Sequence, residues 1–144
     1  MDVEAQKEQF YQLDANTVLD GVEDAGFATT GEYIQLNSYE NRVFDIRLEK
    51  GLNPPELNER IIAKYYRPLR WSREAILDEH FFLDELKLAG IPVIAHLTQK
   101  NDQSLSCYEG LYLALFAKGM GRIPQELSLD QLKSIGRVLA RIHN

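Results

Sequence analysis

A lysine and a glutamate first suggest chemistry in this chain. In Ile61-Ile62-Ala63-Lys64-Tyr65-Tyr66 a strand period puts Lys64 on one face with Ile62 and Tyr66, where an unpaired ammonium is costly. Farther on, Ile76, Leu83 and Leu86 recur at helical spacing with Glu79 between them, so the pattern predicts a carboxylate inside an apolar stripe. Pairing Lys64 with Glu79 relieves both, and an ammonium held by a helix carboxylate can be aimed at the α- and β-phosphates of a nucleotide. The alternative leaves Lys64 on an edge strand with its head in water and Glu79 just off the core face, since lysines snorkel and amphipathic stripes tolerate one charge.

Other candidates carry less. The loop Asn37-Ser38-Tyr39-Glu40-Asn41 offers backbone N–H groups and the Ser38 hydroxyl to a phosphate. It contains no glycine, and neither G-x-G-x-x-G nor G-x-x-x-x-G-K-[ST] occurs, so by spacing alone it is a hairpin turn rich in polar residues. His80, His96 and His143 share no ligand spacing, no metal site is expected, and His80 reads as a packed helix residue. No nucleophile-elbow signature is present, and Cys107 lies in a polar stretch. Lys133, Arg137 and Arg141 read as a solvated helix face rather than a dock for an acidic partner. Tyr65, Tyr66, Trp71, Phe81 and Phe82 read mainly as core.

The elements that must position these residues follow from periodicity and stop signals. Residues 1–13 read as a polar tail or a frayed helix, followed by a helix from Asp14 to a stop at Gly26. Tyr33–Leu36 and Arg42–Leu48 read as paired strands, and Ile61–Arg67 as a third that Pro68 ends. Ser72 is the expected cap of a long helix to about Leu88, with Gly90 and Pro92 as stops. Val93–Leu97 and Leu111–Phe116 read as a fourth and fifth strand around a polar stretch. Ser128 and Gln131 have capping-box spacing before a stripe of Leu132, Ile135, Leu139 and Ile142. The sum is an α+β fold, a five-stranded antiparallel sheet with a long helix after the third strand, an N-terminal helix and a C-terminal helix.

Composition narrows the function classes. The chain has 144 residues, 44% hydrophobic and 26% charged, which suits one globular domain with a sizeable core. Its apolar runs fall short of the roughly 20 residues of a membrane span, so no membrane association is expected. A net charge of −6 argues against nucleic acid as the principal partner. A single cysteine and an N-terminus without basic or apolar signal regions predict a cytoplasmic setting.

Three strings, Leu36-Asn37-Ser38-Tyr39-Glu40-Asn41-Arg42-Val43-Phe44, Lys64-Tyr65-Tyr66-Arg67-Pro68-Leu69-Arg70-Trp71 and Ile76-Leu77-Asp78-Glu79-His80, resemble one family. It is the N-terminal lobe of the YihE/RdoA-type stress-response kinases, serine/threonine protein kinases of the aminoglycoside-phosphotransferase-like group. The resemblance runs in order from about Asp14 to His143 and includes Gly119-Met120-Gly121-Arg122 and the final helix. It implies a lobe at 14–118, a hinge at 119–127 and the start of a second lobe at 128–144.

By the same resemblance Lys64 is the nucleotide-phosphate lysine, Glu79 its helix partner, and Ser38, Tyr39, Glu40 and Asn41 the phosphate-covering loop. Phe116, Ala117 and Lys118 form the linker whose backbone meets adenine. The implied cofactors are ATP and Mg²⁺, and the implied partner is a protein substrate. Ile62 departs from the V-A-I-K strand, which has a small residue two before the lysine. No H-G-D or H-R-D string follows, so the expectation is a truncated lobe, inactive alone, with the catalytic and metal-binding residues in a missing second lobe. Two alternatives stand beside it: the lobe of a small-molecule kinase for an aminoglycoside- or choline-like alcohol, and a non-catalytic interaction module. Self-association through apolar surface near Leu139 and Ile142 is expected where that surface is uncovered.

Overall fold

Helix starts are set by short polar side chains that accept otherwise unpaired backbone N–H groups. In the computed structural model, which describes residues 2–144, Asp14 caps helix α2 (Ala15–Asp24) by accepting from Thr17 N at 2.8 Å. Ser72 caps α3 (Arg73–Leu88) through Ala75 N, and Ser128 with Gln131 closes a reciprocal capping box on α4 (Leu129–His143). Gly26 and Gly90 follow α2 and α3 with φ of +107° and +73°, the left-handed region glycine enters without strain.

The strands are β1 (Thr29–Leu36), β2 (Arg42–Leu48), β3 (Arg60–Tyr65), β4 (Ser106–Tyr108) and β5 (Leu111–Ala117). They form one antiparallel sheet in the order β1-β2-β3-β5-β4. Alternation splits it into two faces. Phe44, Ile46, Leu48, Ile61, Ala63, Tyr65, Leu111, Leu113 and Leu115 point to the main core, where they meet Val18 and Val22 from α2 and Ala25 just after it. Tyr65 donates its hydroxyl to Val18 O at 2.9 Å, and Gly21 leaves room for the ring, which any Cβ there would strike. The opposite face is covered at one end only, where α3 and the following loop bring Ile76 and Leu105 onto Tyr66 and Ala114.

Three expectations are corrected. Within the stretch 1–13 read as a polar tail or a frayed helix, the described residues are not a polar tail: α1 (Val3–Tyr11) buries Phe10, Leu13 joins the same core, and Arg42 Nη1 donates to the carbonyls of Phe10 and Leu13. The apolar content is too sparse for a periodic signal, yet two well-placed side chains suffice to dock the segment.

The fourth strand is Ser106–Tyr108 and not Val93–Leu97. Tyr108-Glu109-Gly110-Leu111 makes a two-residue turn with φ of +46° and +81°, and this tight hairpin takes the first half of the β5 edge. Residues 93–97 run beside the second half of that edge, with a single bridge from His96 to Phe116 and a bond from Leu97 N to Leu115 O. Of the aromatics read as core, Tyr65 and Tyr66 are buried while Trp71, Phe81 and Phe82 are exposed.

Helix α4 reaches the rest of the chain through Arg141, which donates to Gly90 O at 2.8 Å. Leu132, Ile135 and Leu139 on its apolar stripe are exposed. No helix among the described residues is long and apolar enough to cross a membrane.

The docking of α1 is testable. Leu13→Ala should cost about 2–5 kcal/mol in urea unfolding, whereas truncating the exposed Val3 to alanine should change little. A frayed tail would make both variants silent.

Candidate functional site

Strand alternation determines which side chains line the uncovered part of the second face. The register aligns Ile34 with Asp45, Asp45 with Ile62, and Ile62 with Phe116; one step along it aligns Leu36 with Val43, Val43 with Lys64, and Lys64 with Ala114. Ile34 and Leu36 are exposed, and Val43, Ile62 and Phe116 are half-buried. The result is a largely apolar platform with Asp45 buried in its outer row and Lys64 at its inner end. Phe116 is therefore on the platform, while Ile62 occupies the position at which V-A-I-K strands carry a smaller side chain.

Lys64 Nζ lies 3.8 Å from Glu79 Oε1, a long ion pair in which the lysine side chain is 24% exposed and the glutamate 50%. It also sits 4.6 Å above the centre of the Tyr66 ring, a cation–π contact that holds the ammonium without neutralising it. The helix differs here from the sequence reading. Glu79 is exposed, and the buried positions of α3 are Ile76, His80 and Leu86, so the neighbouring histidine takes the place in the stripe that periodicity assigned to the glutamate. A weak stripe of this kind is ambiguous by one position until the sheet selects the face.

His80 connects the site to the loop after α3. Its Nδ1 is 2.8 Å from Ser104 Oγ, its Nε2 is 3.4 Å from the Tyr66 hydroxyl, and its ring stacks on His96 at 4.8 Å. His96 Nε2 lies 3.0 Å from Asp84 Oδ1 but out of line for a hydrogen bond. Burial, followed by the neighbouring His96 and Lys64, pushes His80 from 6.5 down to about 4. Burial likewise pushes the Tyr66 hydroxyl up, keeping it neutral. The sequence marks His80 and Tyr66 as packed but not the bonds between them, because the members of this network come from α3, the residue after β3 and two loop segments.

The loop Asn37–Asn41 lies one step past Lys64 along the strands. Asn41 Oδ1 accepts from Arg67 N at 3.1 Å, and Glu40 pairs with Arg70 at 3.1 Å, so these two side chains tie the loop to the β3–α3 connection. Tyr39 is fully exposed. Among the described residues the N–H groups of Asn37 to Asn41 donate to no backbone carbonyl. At the other end of the platform Lys118 follows β5, and its side chain turns to Asp45 Oδ2 at 2.7 Å. No three His, Cys, Asp or Glu side chains among the described residues gather as a metal cluster.

The neutral, buried His80 predicts a pH effect. The unfolded chain gains a proton near 6.5 that the folded chain refuses until about 4, so this contribution to stability is complete above 6.5 and is lost as pH falls toward 4. Urea midpoints measured across that window should fall with pH, and His80→Gln should flatten the slope.

No protein-family model matches the chain. Stress response kinase A of Escherichia coli (strain K12) is 34% identical over 134 residues, which is 93% of this chain and 38% of the relative. The serine/threonine protein kinase RdoA of Salmonella typhimurium is 35% identical over the same shares. The chain thus spans 38% of the length of these curated relatives. Among solved structures, amicoumacin kinase hAmiN in complex with AMP-PNP, Ca²⁺ and Ami has the same fold over 83% of this chain and 35% of its own, with a TM-score of 0.68 and 22% identity. Over the stretch they share, the chain is thus similar in sequence to stress response kinase A of Escherichia coli and has the fold of the corresponding part of amicoumacin kinase hAmiN.

Proposed function

We propose that the chain is the ATP-binding lobe of a serine/threonine protein kinase that moves the γ-phosphoryl group of ATP to a protein hydroxyl. The observation that carries this reading is the half-buried Lys64 ammonium at the end of an open apolar platform, held by Glu79 and the Tyr66 ring. The platform fits a purine, which is flat and apolar on both sides. The ammonium fits the α- and β-phosphates one strand step away. The N–H groups of the loop containing Ser38, Tyr39, Glu40 and Asn41, which meet no backbone carbonyl among the described residues, fit phosphate oxygens. The backbone of Phe116, Ala117 and Lys118 runs along the platform edge and offers donors and acceptors to the base.

ATP supplies the group that is transferred; the lobe's own residues bind and orient it. With no acidic cluster among the described residues, the ligands for Mg²⁺ and the residue that orients the acceptor belong, in this reading, to the rest of the parent protein. The chain without them is inactive, and the same second lobe covers the exposed stripe of α4, which otherwise favours self-association. The name of the Salmonella relative supports a protein acceptor. The solved neighbour has a small molecule bound with its nucleotide analogue, and its likeness in fold keeps a small-molecule acceptor as the second reading.

The test uses the full-length native protein and labelled ATP. Lys64→Ala should weaken ATP binding by about 1.5–3 kcal/mol, the range for a charge-assisted contact, and should reduce phosphoryl transfer further. Label in phosphoserine or phosphothreonine supports the protein-kinase reading, and label in a small-molecule fraction supports the second. Equal ATP affinity in the wild type and Lys64→Ala rejects the role given to Lys64.

A further inference from the structure

A buried carboxylate stands on the same face as the platform. Asp45, on β2 between Ile34 and Ile62, is 4% exposed. Its Oδ1 accepts from Arg60 Nε at 2.9 Å and its Oδ2 from Lys118 Nζ at 2.7 Å. Ile61 pairs with Ala117, so the next step along the ladder sets Arg60 against Lys118. Two cations directly opposite one another repel. One carboxylate on a third strand resolves the conflict by holding both.

Packing does not call for this arrangement. The residues aligned with Asp45 across the sheet, Ile34 and Ile62, are apolar, and a buried carboxylate is costly unless it is fully partnered. Burial pushes the Asp45 carboxyl up, but hydrogen bonds from Lys118 and Arg60, with their charges, outweigh it and hold it below the ordinary carboxylate value. What the cluster joins is specific: β2, β3 and Lys118, the first residue past β5, where the chain leaves the sheet toward α4.

The geometry points to Asp45 as a positioning residue: by clamping Lys118 beside Arg60 it fixes the path of Phe116–Lys118, and with it the backbone groups that read the nucleotide base. This rests on the reading of Phe116–Lys118 as the base-facing linker. In this role Asp45 acts through the strand end, whose height and direction it sets. Loss of the clamp loosens base recognition and leaves the phosphate end of the site, around Lys64, intact.

The experiment compares ATP and GTP affinities of the full-length native protein by calorimetry. Asp45→Asn and Lys118→Met should each reduce the preference between the two bases about tenfold, a change of about 1.4 kcal/mol, with the double variant no worse than either single one. Lys64→Ala should weaken both nucleotides alike and leave the preference unchanged. Lys118→Met keeps Asp45 paired with Arg60, so it carries the test if Asp45→Asn fails to fold. A wild type with no base preference, or clamp variants that keep the preference or lose both affinities equally, overturns the inference. A wild type that binds neither nucleotide overturns the proposed function itself.

Discussion

The alternation of β3 is the constraint on which the other features depend. Ile61, Ala63 and Tyr65 enter a core closed by α1 and α2, which commits Ile62 and Lys64 to the other side. That side is closed by α3 only at the end near Tyr66 and Ala114. A sheet with one face fully covered and the other half covered leaves apolar surface and a lysine together at a boundary with water. Such a boundary suits a ligand that is flat and apolar at one end and anionic at the other. Core packing and the candidate site are thus two results of the same period-two repeat.

Charge on the open face is organised at both ends of the platform. At the inner end Lys64 is held loosely, by a long ion pair and an aromatic ring, so its ammonium keeps an unsatisfied direction. At the outer end Asp45 is held tightly by two cations at hydrogen-bond distance. The contrast follows from burial. A pair at the water boundary such as Lys64 with Glu79, whose carboxylate is exposed, is partly screened and contributes little to stability, whereas a carboxylate with 4% exposure requires its partners. The loose end is suited to exchanging partners, and the tight end to holding a backbone in place.

Local signals were legible where local chemistry decides the outcome. The caps at Ser72 and Ser128, the stops at Gly26 and Gly90, and the alternation of Arg42–Leu48 each depend on residues within a turn or a strand of one another. The pairing of Lys64 with Glu79 was legible for a weaker reason, since two misplaced charges invite each other. Three readings failed where the competition was nonlocal. Glu109-Gly110 makes a tight hairpin that takes the β5 edge from residues 93–97. Phe10 and Leu13 dock a segment whose composition reads as polar. Glu79, read as inside the apolar stripe of α3, is exposed, while its neighbour His80 is buried as a packed helix residue.

By itself the sequence determined the α+β class, the positions of most helices and strands, and Lys64 as the residue to watch, because periodicity, capping and turn chemistry act over a few residues. Only the tertiary structure decided which face of the sheet stays open, that Tyr66 and His80 stand behind Lys64, and that Asp45, Arg60 and Lys118 form one cluster. Those groups are separated by long stretches of chain and meet through strand register. Register is fixed by the whole sheet and its core at once, and no short window of residues contains it.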